Sequence, residues 1–254
     1  MIQMVVTDLD GTLLRNGKYI SDYTISVLSE CQRKGIKIAF ATARSSQASF
    51  EFLEQFTPDV FIGYGGALVI VGEKVIHRFD ISSTVSSQII KECLAAPEVL
   101  SILAINESIA LTNRLDETKS KDVSHYRYDD FLHPNDNKYL KISVNATSPD
   151  VVEKIAAHYP MCDMLRYTGE DLYRFANKDA IKWNAVKVMA KYYNFDTDSF
   201  VAFGDDVNDT EMVKNCGIGI AVENAIDKVK AVAGHICASN EKDGVAKWLE
   251  EHLL

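Results

Sequence analysis

Two aspartates stand two positions apart where an apolar segment near the N-terminus ends. Residues 2–7 are mostly apolar, and Asp8 and Asp10 follow within the sequence Asp-Leu-Asp-Gly-Thr. One carboxylate of such a pair can attack phosphorus and form an aspartyl-phosphate, while the other donates a proton to the leaving oxygen and then activates water. The pair therefore predicts phosphoryl transfer with a nucleophile and a separate acid/base.

A second acidic group follows another apolar segment late in the chain. The sequence Gly-Asp-Asp-Val-Asn-Asp places Asp205 just after the segment 199–203. In an open α/β sheet, ligands bind outside the carboxyl ends of the strands, so this fold would bring Asp8 and Asp205 to one crevice. Crowded carboxylates favour a hard divalent cation with oxygen ligands, and we expect Mg²⁺. Asp8, Asp10 and Asp205 are the candidate ligands, through side chains or main-chain carbonyls.

Two further residues could hold a phosphate group beside that cation. Thr42 follows the apolar segment 36–41 and is expected at a strand-to-helix junction, where a hydroxyl and main-chain amides bind anions. Lys182 is expected near the start of a helix and could neutralise a phosphoryl group. Taken alone, Thr42 is equally well a helix N-cap, and Lys182 a residue of a solvated helix face. Both assignments therefore depend on the acidic residues.

The order of the predicted elements indicates an α/β protein with an inserted domain. Apolar segments alternate with helical ones at both ends of the chain, which is typical of a doubly wound parallel sheet. Between them, predicted hairpins and helices indicate an α+β unit, and the polar stretch 116–137 is expected to be a loop. We therefore predict a discontinuous α/β core, residues 1–80 and 181–254, and an inserted α+β domain, residues 81–180.

Composition excludes several classes of protein. The chain has 254 residues, of which 47% are hydrophobic and 25% charged, and its net charge is −9. This negative charge disfavours nucleic acid and anionic membranes as partners, and no apolar run is long enough to span a bilayer. The five cysteines form no CxxC pair, and the N-terminus does not resemble a signal peptide, so we expect a reduced, cytoplasmic protein. The sequence gives no prediction of the oligomeric state.

Four motifs occur in an order that resembles the haloacid dehalogenase superfamily. They are Asp8-Leu-Asp-Gly-Thr12, Thr42 within Ala-Thr-Ala-Arg, Lys182, and Gly204-Asp-Asp-Val-Asn-Asp209. The insertion and the ending Ser239-Asn-Glu-Lys-Asp-Gly-Val245 are similar to the Cof-type sugar-phosphatase branch. The resemblance implies a Rossmann-like core with a mobile α+β cap that closes over the site. It also implies a Mg²⁺-dependent phosphomonoesterase acting on a small phosphorylated metabolite, such as a sugar phosphate.

The same resemblance implies a role for each motif residue. Asp8 would be the nucleophile and a metal ligand, Asp10 would be the acid/base and bind the metal through its carbonyl, and Asp205 would bind the metal. Asp209 would support the site. The residues expected at the phosphate are Gly11, Thr42, Ala43, Lys182 and Asn208.

Three positions depart from the family pattern. Ala43 stands where the family usually has glycine, Trp183 stands where a small residue is common, and Tyr64 begins Tyr-Gly-Gly in place of Asn-Gly-Ala. No departure removes a catalytic group, so the expected chemistry is unchanged. The departures do leave the identity of the substrate open.

Other functions are compatible with the same acidic residues. A phosphomutase or another phosphotransferase would pass the phosphoryl group from Asp8 to an alcohol, and the sequence does not separate it from a phosphatase. A non-catalytic, receiver-like protein would use Asp8 as a phospho-acceptor, but Asp10 and the inserted domain argue against it. A degenerate metabolite-binding protein is disfavoured because all the motif residues are present.

Overall fold

The structure consists of two compact units. The computed structural model describes residues 1–114, 126–133, 136–167 and 169–254. The first unit comprises Met1–His77 and Ile181–Leu254, and the second unit comprises Arg78–Ala180. Each unit has its own cluster of buried hydrophobic residues. The second unit begins at Arg78, slightly before the boundary predicted at residue 81.

Both ends of the chain contribute to the first unit. Its N-terminal part contains β1 (Met4–Thr7), α1 (Asp22–Arg33), β2 (Lys37–Ala41), α2 (Phe50–Gln55), β3 (Val60–Gly63), β4 (Leu68–Val71) and β5 (Lys74–Arg78). The described part of the second unit contains α3 (Ser83–Ala95), β6 (Val99–Ile105), β7 (Ala110–Thr112), β8 (Tyr126–Tyr128), β9 (Lys141–Ala146), α4 (Pro149–Ala157), β10 (Cys162–Arg166) and β11 (Leu172–Asn177). The C-terminal part of the first unit contains α5 (Lys182–Tyr193), β12 (Phe200–Gly204), α6 (Thr210–Asn215), β13 (Ile218–Val222), α7 (Asp227–Lys230), β14 (His235–Cys237) and α8 (Gly244–Leu253).

A mainly parallel sheet forms the centre of the first unit. Its strand order is β14-β13-β12-β1-β2-β3-β4-β5, and neighbouring strands from β14 to β3 run parallel. The central strands are apolar runs with buried side chains, as expected for a parallel sheet covered on both faces. Thr7 of β1 lies beside Phe203 of β12, so strands from opposite ends of the chain have neighbouring carboxyl ends. The predicted α/β fold with a parallel-sheet core is confirmed.

Helix caps and close packing fix the loops of the first unit. Ser21 caps α1 by accepting a hydrogen bond from Thr24 N at 3.1 Å, as its residue type favours. α6 approaches β13 so closely that a Cβ atom on Gly219 would overlap the carbonyl oxygen of Val213. Because α6 directly follows the segment 205–209, this contact holds that segment against the sheet.

β4 and β5 extend the sheet beyond β3, where the sequence analysis predicts no strand. β4 pairs antiparallel with β3, with Val60 opposite Val71. Both strands are short, and periodicity alone does not separate a strand from other structures in an apolar run of that length. Pairing with β3 therefore decides the conformation of this segment.

The second unit contains a mostly antiparallel sheet with helices on one face. Its strand order is β10-β11-β9-β6-β7-β8, and only β7 and β8 are parallel among the described strands. α3, α4 and alternate strand residues form one buried cluster, which places both helices on the same face. The predicted loop at 116–137 contains β8, and residues 115–125 and 134–135 lie outside the described residues. None of the helices in the described chain combines the length and apolar character that crossing a bilayer requires.

We expect Gly219→Ala to lower the free energy of unfolding by roughly 1–3 kcal/mol, because the added methyl group must displace the backbone of α6 at Val213. Gly234→Ala is the matched control: a Cβ atom there would lie 3.7 Å from Gly219 O, an ordinary contact. The control should change the stability by no more than about 0.5 kcal/mol. Urea unfolding followed by circular dichroism measures both variants. Equal stabilities would contradict the close approach of α6 and β13.

Candidate active site

Lys182, the first residue of α5, lies between two buried carboxylates. Its Nζ donates hydrogen bonds to Asp8 Oδ1 at 2.5 Å and to Asp209 Oδ1 at 2.6 Å. Burial lowers the pKa of the ammonium group, but the charges of Asp209 and Asp8 outweigh burial, so the pKa of Lys182 is raised. This lysine is therefore charged and held at the carboxyl end of β1.

Asp8 follows β1, and one of its two carboxylate oxygens accepts no hydrogen bond from the described residues. Its backbone N donates to Phe203 O at 3.1 Å, which fixes Asp8 beside β12. Burial raises the pKa of Asp8 well above its ordinary value, because Lys182 offsets only part of burial and of the repulsion from two neighbouring aspartates. Among the described residues, only Lys182 donates to the carboxylate, at Oδ1. Oδ2 is therefore available for chemistry.

Asp205, which follows β12, lies against the turn that contains Gly11 and Thr12. Thr12 Oγ1 donates a hydrogen bond to Asp205 Oδ1 at 2.5 Å. Gly11 permits this approach, because its φ is +79° and a Cβ atom there would lie 3.0 Å from Asp205 Cγ. Burial raises the pKa of Asp205 to about 6, although the hydrogen bond from Thr12 lowers it in part. The structure thus brings Asp8 and Asp205, which are remote in the sequence, to the same edge of the sheet.

Asp209 positions its neighbours with both carboxylate oxygens. Oδ2 accepts hydrogen bonds from Asp205 N at 3.0 Å and from Asp206 N at 3.1 Å. Oδ1 accepts from Lys182 Nζ, and the aspartate is 1% exposed. Because both oxygens are engaged, Asp209 orients Asp205 and Lys182 and presents no free oxygen of its own.

The acidic cluster fits a divalent cation. One oxygen from each of Asp8, Asp205 and Asp209 lies within 4.8 Å of the other two. Three carboxylates and the single ammonium of Lys182 leave two negative charges when all are ionised. Burial chiefly raises the pKa of Asp205, and repulsion from Asp209 adds to it. Carboxylate oxygens are ligands that Mg²⁺ prefers. Asp8 and Asp205 are the members of the cluster with oxygen capacity left for an ion.

The Asp10 carboxylate is paired with two cations and does not belong to this acidic cluster. Arg44 Nε and Nη2 donate to its two oxygens at 2.5 and 2.7 Å, and Lys18 Nζ donates to Oδ1 at 2.5 Å. Burial raises the pKa of Asp10, but these hydrogen bonds outweigh burial, and the pKa is lowered. Asp10 is therefore ionised at neutral pH. No pattern in the sequence identifies Arg44 and Lys18 as partners of Asp10, although Arg44 belongs to the Ala-Thr-Ala-Arg motif.

Thr42 lies buried after β2, but no helix follows it directly. Its Oγ1 accepts a hydrogen bond from Arg44 N at 3.1 Å. A loop and a short 3₁₀ turn separate Thr42 from α2. Thr42 therefore lies between a strand and a helical stretch, as predicted, but no helix N-terminus lies at Thr42 itself to bind an anion. Ala43 and Asn208 are half-buried, and with Thr42 they stay predictions for phosphate binding.

The turn that carries Gly11 is tied to the C-terminal part of the chain. Asn224 Nδ2 donates to Gly11 O at 2.7 Å, and Asn240 N donates to Asn224 Oδ1 at 3.1 Å. Asn240 Nδ2 also donates to Leu14 O at 2.8 Å. In the sequence, the segment 239–245 is notable only for its resemblance to the Cof-type branch. The structure gives this segment a physical role in holding the turn.

Two of the residues that depart from the family pattern pack inside the first unit. Tyr64 is fully buried, and its hydroxyl donates to Gln47 Oε1 at 3.1 Å. Trp183 packs against the hydrophobic core, and Lys187 Nζ lies 5.8 Å from the centre of its ring. Packing within the unit accounts for both side chains.

The chain is similar to known proteins over almost its whole length. The family model described as haloacid dehalogenase-like hydrolase matches residues 5–249. Two relatives are named 5-amino-6-(5-phospho-D-ribitylamino)uracil phosphatase. YitU of Bacillus subtilis is 25% identical over 279 residues, which cover 98% of this chain and 97% of the relative. YbjI of Escherichia coli is 24% identical over 263 residues, which cover 99% of this chain and 96% of the relative.

A solved structure shows the same fold. It is that of a sugar phosphatase of HAD subclass IIB, which is 22% identical to this chain and covers 98% of each chain with a TM-score of 0.82. At this identity the likeness concerns the fold, and the arrangement of the acidic residues has to be judged from their own contacts.

We expect Asp205→Asn to raise the free energy of unfolding above about pH 7 in the absence of divalent cations. The folded state holds the Asp205 proton up to a pKa of about 6, whereas the ordinary pKa of an aspartate is 3.8. The ionisation of Asp205 therefore does not affect the free energy of unfolding below pH 3.8. Between pH 3.8 and about pH 6 the free energy of unfolding falls as the pH rises, and above pH 6 it stays lower by an amount on the order of 3 kcal/mol. Asparagine removes this cost and still accepts from Thr12.

The same variant should lose most of the stabilisation by Mg²⁺, measured as the rise in melting temperature on adding MgCl₂. Asp206→Asn is the control, because Asp206 is an exposed neighbour and asparagine also caps helices. It should respond to Mg²⁺ like the parent protein. An undiminished Mg²⁺ response in Asp205→Asn would remove Asp205 from the cation site.

Proposed function

Because the chain belongs to the haloacid dehalogenase-like hydrolases, we propose that this phosphatase is a Mg²⁺-dependent phosphomonoesterase that works through an aspartyl-phosphate on Asp8. One observation carries the proposal. Asp8 is buried beside Lys182 and Asp205, and only one of its two oxygens accepts a hydrogen bond from the described residues. A carboxylate that is oriented through one oxygen and free at the other is suited to be a nucleophile.

In the first step, Asp8 Oδ2 attacks the phosphorus atom of the substrate. A bond from this oxygen to phosphorus forms while the bond from phosphorus to the leaving oxygen breaks, and Asp10 supplies the proton that the leaving oxygen needs. Lys182 remains charged and stabilises the negative charge of the phosphoryl group. Thr42 would donate a hydrogen bond to the same group.

In the second step, water replaces Asp8 at phosphorus. Asp10 accepts a proton from the water as it attacks, the bond between Asp8 and phosphorus breaks, and inorganic phosphate leaves. Hydrogen bonds from Arg44 and Lys18 favour the ionised form of Asp10, which is the form that a base requires. The first step needs a protonated Asp10, and the hydrogen bonds from Arg44 and Lys18 disfavour protonation. Substrate binding therefore has to displace these hydrogen bonds before the first step.

The cation would be held by the carboxylates of Asp8 and Asp205 and by the carbonyl of Asp10. When bound, Mg²⁺ supplies positive charge that reduces the repulsion between a carboxylate nucleophile and an anionic phosphate. The support for a divalent ion is the charge excess of the cluster, since Lys182 is the only cation that contacts it among the described residues. Thr12 would keep Asp205 oriented toward the ion.

The substrate that we propose is a small phosphorylated metabolite, such as a sugar phosphate. Two relatives are named as phosphatases of a phosphorylated ribitylamino-uracil, and a protein of the same fold is a sugar phosphatase. These names support the class and do not identify one substrate for this chain. Phosphate release from a panel of such esters would identify it, and an added alcohol acceptor would separate hydrolysis from phosphotransfer.

We expect Asp8→Asn to reduce hydrolysis of an aryl phosphate by at least about 10³-fold, because the amide oxygen is not a competent nucleophile. Asparagine can still accept from Lys182, so circular dichroism should show an intact fold. Asp198→Asn, an identical change at an exposed position of the first unit, should keep full activity. The parent enzyme should lose activity in EDTA and regain it with Mg²⁺. Full activity of Asp8→Asn would reject the nucleophile.

Asp10→Asn should separate the two chemical steps. An aryl leaving group needs little protonation, so attack by Asp8 continues, whereas activation of water is lost and the aspartyl-phosphate accumulates. Rapid-quench measurements should show a burst of the phenol close to one equivalent per site, followed by slow turnover. An alkyl phosphate should give no burst. Equal losses on both esters, without a burst, would contradict the acid/base role of Asp10.

A further inference from the structure

The sheet of the second unit has a face that α3 and α4 do not cover. Ile142 and Val144 of β9 and Phe175 of β11 belong to the buried cluster that contains both helices. Side chains alternate along a strand. Lys141, Ser143 and Arg174 therefore point to the opposite face of the sheet.

Arg174 is buried on this opposite face without a full set of partners. The residue is 4% exposed, and its Nε has no hydrogen-bond partner among the described residues. No described carboxylate forms an ion pair with it. Arginine does not give up its charge within proteins. A buried cation without a counter-charge is costly for the folded state, so its presence needs an explanation.

A second cation and a hydroxyl group accompany Arg174. Ser143 lies directly opposite Arg174 in the pairing of β9 with β11. Lys141 is two residues from Ser143 on the same face, and such diagonal neighbours are within reach of long side chains. Burial and the charge of Arg174 lower the pKa of Lys141 to about 8. The two cations therefore act on each other, and no described carboxylate pairs with Lys141.

The remaining neighbours on this face do not neutralise the pair. Leu165 of β10 stands opposite Arg174, and Leu103 of β6 stands opposite Ser143. Asp171 pairs with Arg166, and Glu107 pairs with Arg78. Asp163 of β10 stands opposite Ala176 on the same face, but it is exposed and forms no ion pair with either cation. The two cations and the hydroxyl donor are thus flanked by leucines and by one exposed carboxylate that does not pair with them.

We propose that Arg174, Lys141 and Ser143 form a binding site for an oxyanion, either a carboxylate or a phosphate group. A guanidinium group binds such oxyanions through two parallel hydrogen bonds, an ammonium group adds a point charge, and a hydroxyl group donates one more hydrogen bond. The oxyanion has two chemical sources. It is a second acidic group of the substrate, in which case the assignment rests on the proposed function, or it is a free small anion.

Thermal unfolding in sulfate and in chloride at equal ionic strength tests the site. Sulfate should raise the melting temperature of the parent protein, and Arg174→Met and Lys141→Met should each lose a large part of this rise. Lys154→Gln is the matched control, since Lys154 is an exposed cation of α4 in the same unit, and it should keep the full response. Sulfate that binds near Lys182 affects all four proteins alike and cancels in the comparison.

Two further results decide whether the oxyanion site exists. In chloride, Arg174→Met should melt at or above the temperature of the parent protein, because the variant removes a buried charge that pairs with no carboxylate of the described residues. If Arg174→Met does not fold, the response of Lys141→Met decides alone. A full sulfate response in the variants that fold would overturn the proposal.

Kinetics with glycerol phosphate and phosphoglycerate identify the source of the oxyanion. If the oxyanion belongs to the substrate, the ratio of kcat/KM for phosphoglycerate to that for glycerol phosphate should fall at least about tenfold in Arg174→Met, the effect of one charged hydrogen bond. An unchanged ratio with an altered sulfate response assigns the site to a free anion. If the parent enzyme is inactive but sulfate raises its melting temperature more than that of the two Met variants, only the proposed function is rejected. An active parent enzyme with unaltered sulfate responses in both variants rejects the oxyanion site alone.

Discussion

The ammonium of Lys182 makes two charged hydrogen bonds in the protein interior, one to Asp8 and one to Asp209. Removing one partner from a buried ion pair typically costs about 3–5 kcal/mol, so this lysine allows two carboxylates to lie side by side in the interior. It does not neutralise Asp205, whose pKa burial raises to about 6. The remaining negative charge destabilises the fold without a cation, and this is the physical reason to expect that a cation binds.

The spacing of the acidic residues depends on the backbone that carries them. β1 and β12 are parallel neighbours, so the residues that follow each strand emerge side by side. Asp209 then fixes the loop after β12 through Asp205 N, and Asn224 fixes the turn after β1 through Gly11 O. The contact of Asp209 is local, whereas the pairing of β1 with β12 and the contact of Asn224 join segments that are remote in the sequence. The meeting of Asp8 and Asp205 therefore depends on the parallel pairing of β1 with β12.

The fold class and the proximity of Asp8 and Asp205 could be predicted from the sequence. Both follow from the apolar pattern of the strands and from the rule that ligands bind at the carboxyl ends of parallel strands. Parallel strands buried on both faces are continuous apolar runs, and the residues at their carboxyl ends share one edge. Pairing between side chains leaves no such pattern, so nothing in the sequence indicated that Arg44 and Lys18 bind Asp10. The pattern also did not show that Thr42 Oγ1 accepts a hydrogen bond from Arg44 N in a local turn, which precedes the helical stretch.

The net charge of −9 is a sum over the whole chain, and it does not describe the local balance of charge at either buried cluster. In the first unit, carboxylates outnumber the single ammonium of Lys182. In the second unit, Arg174 and Lys141 have no carboxylate partner among the described residues. Either imbalance is costly to bury, and a ligand of opposite charge removes the cost. Asp209 differs from both, because Lys182 and two backbone amides compensate its buried charge within the fold.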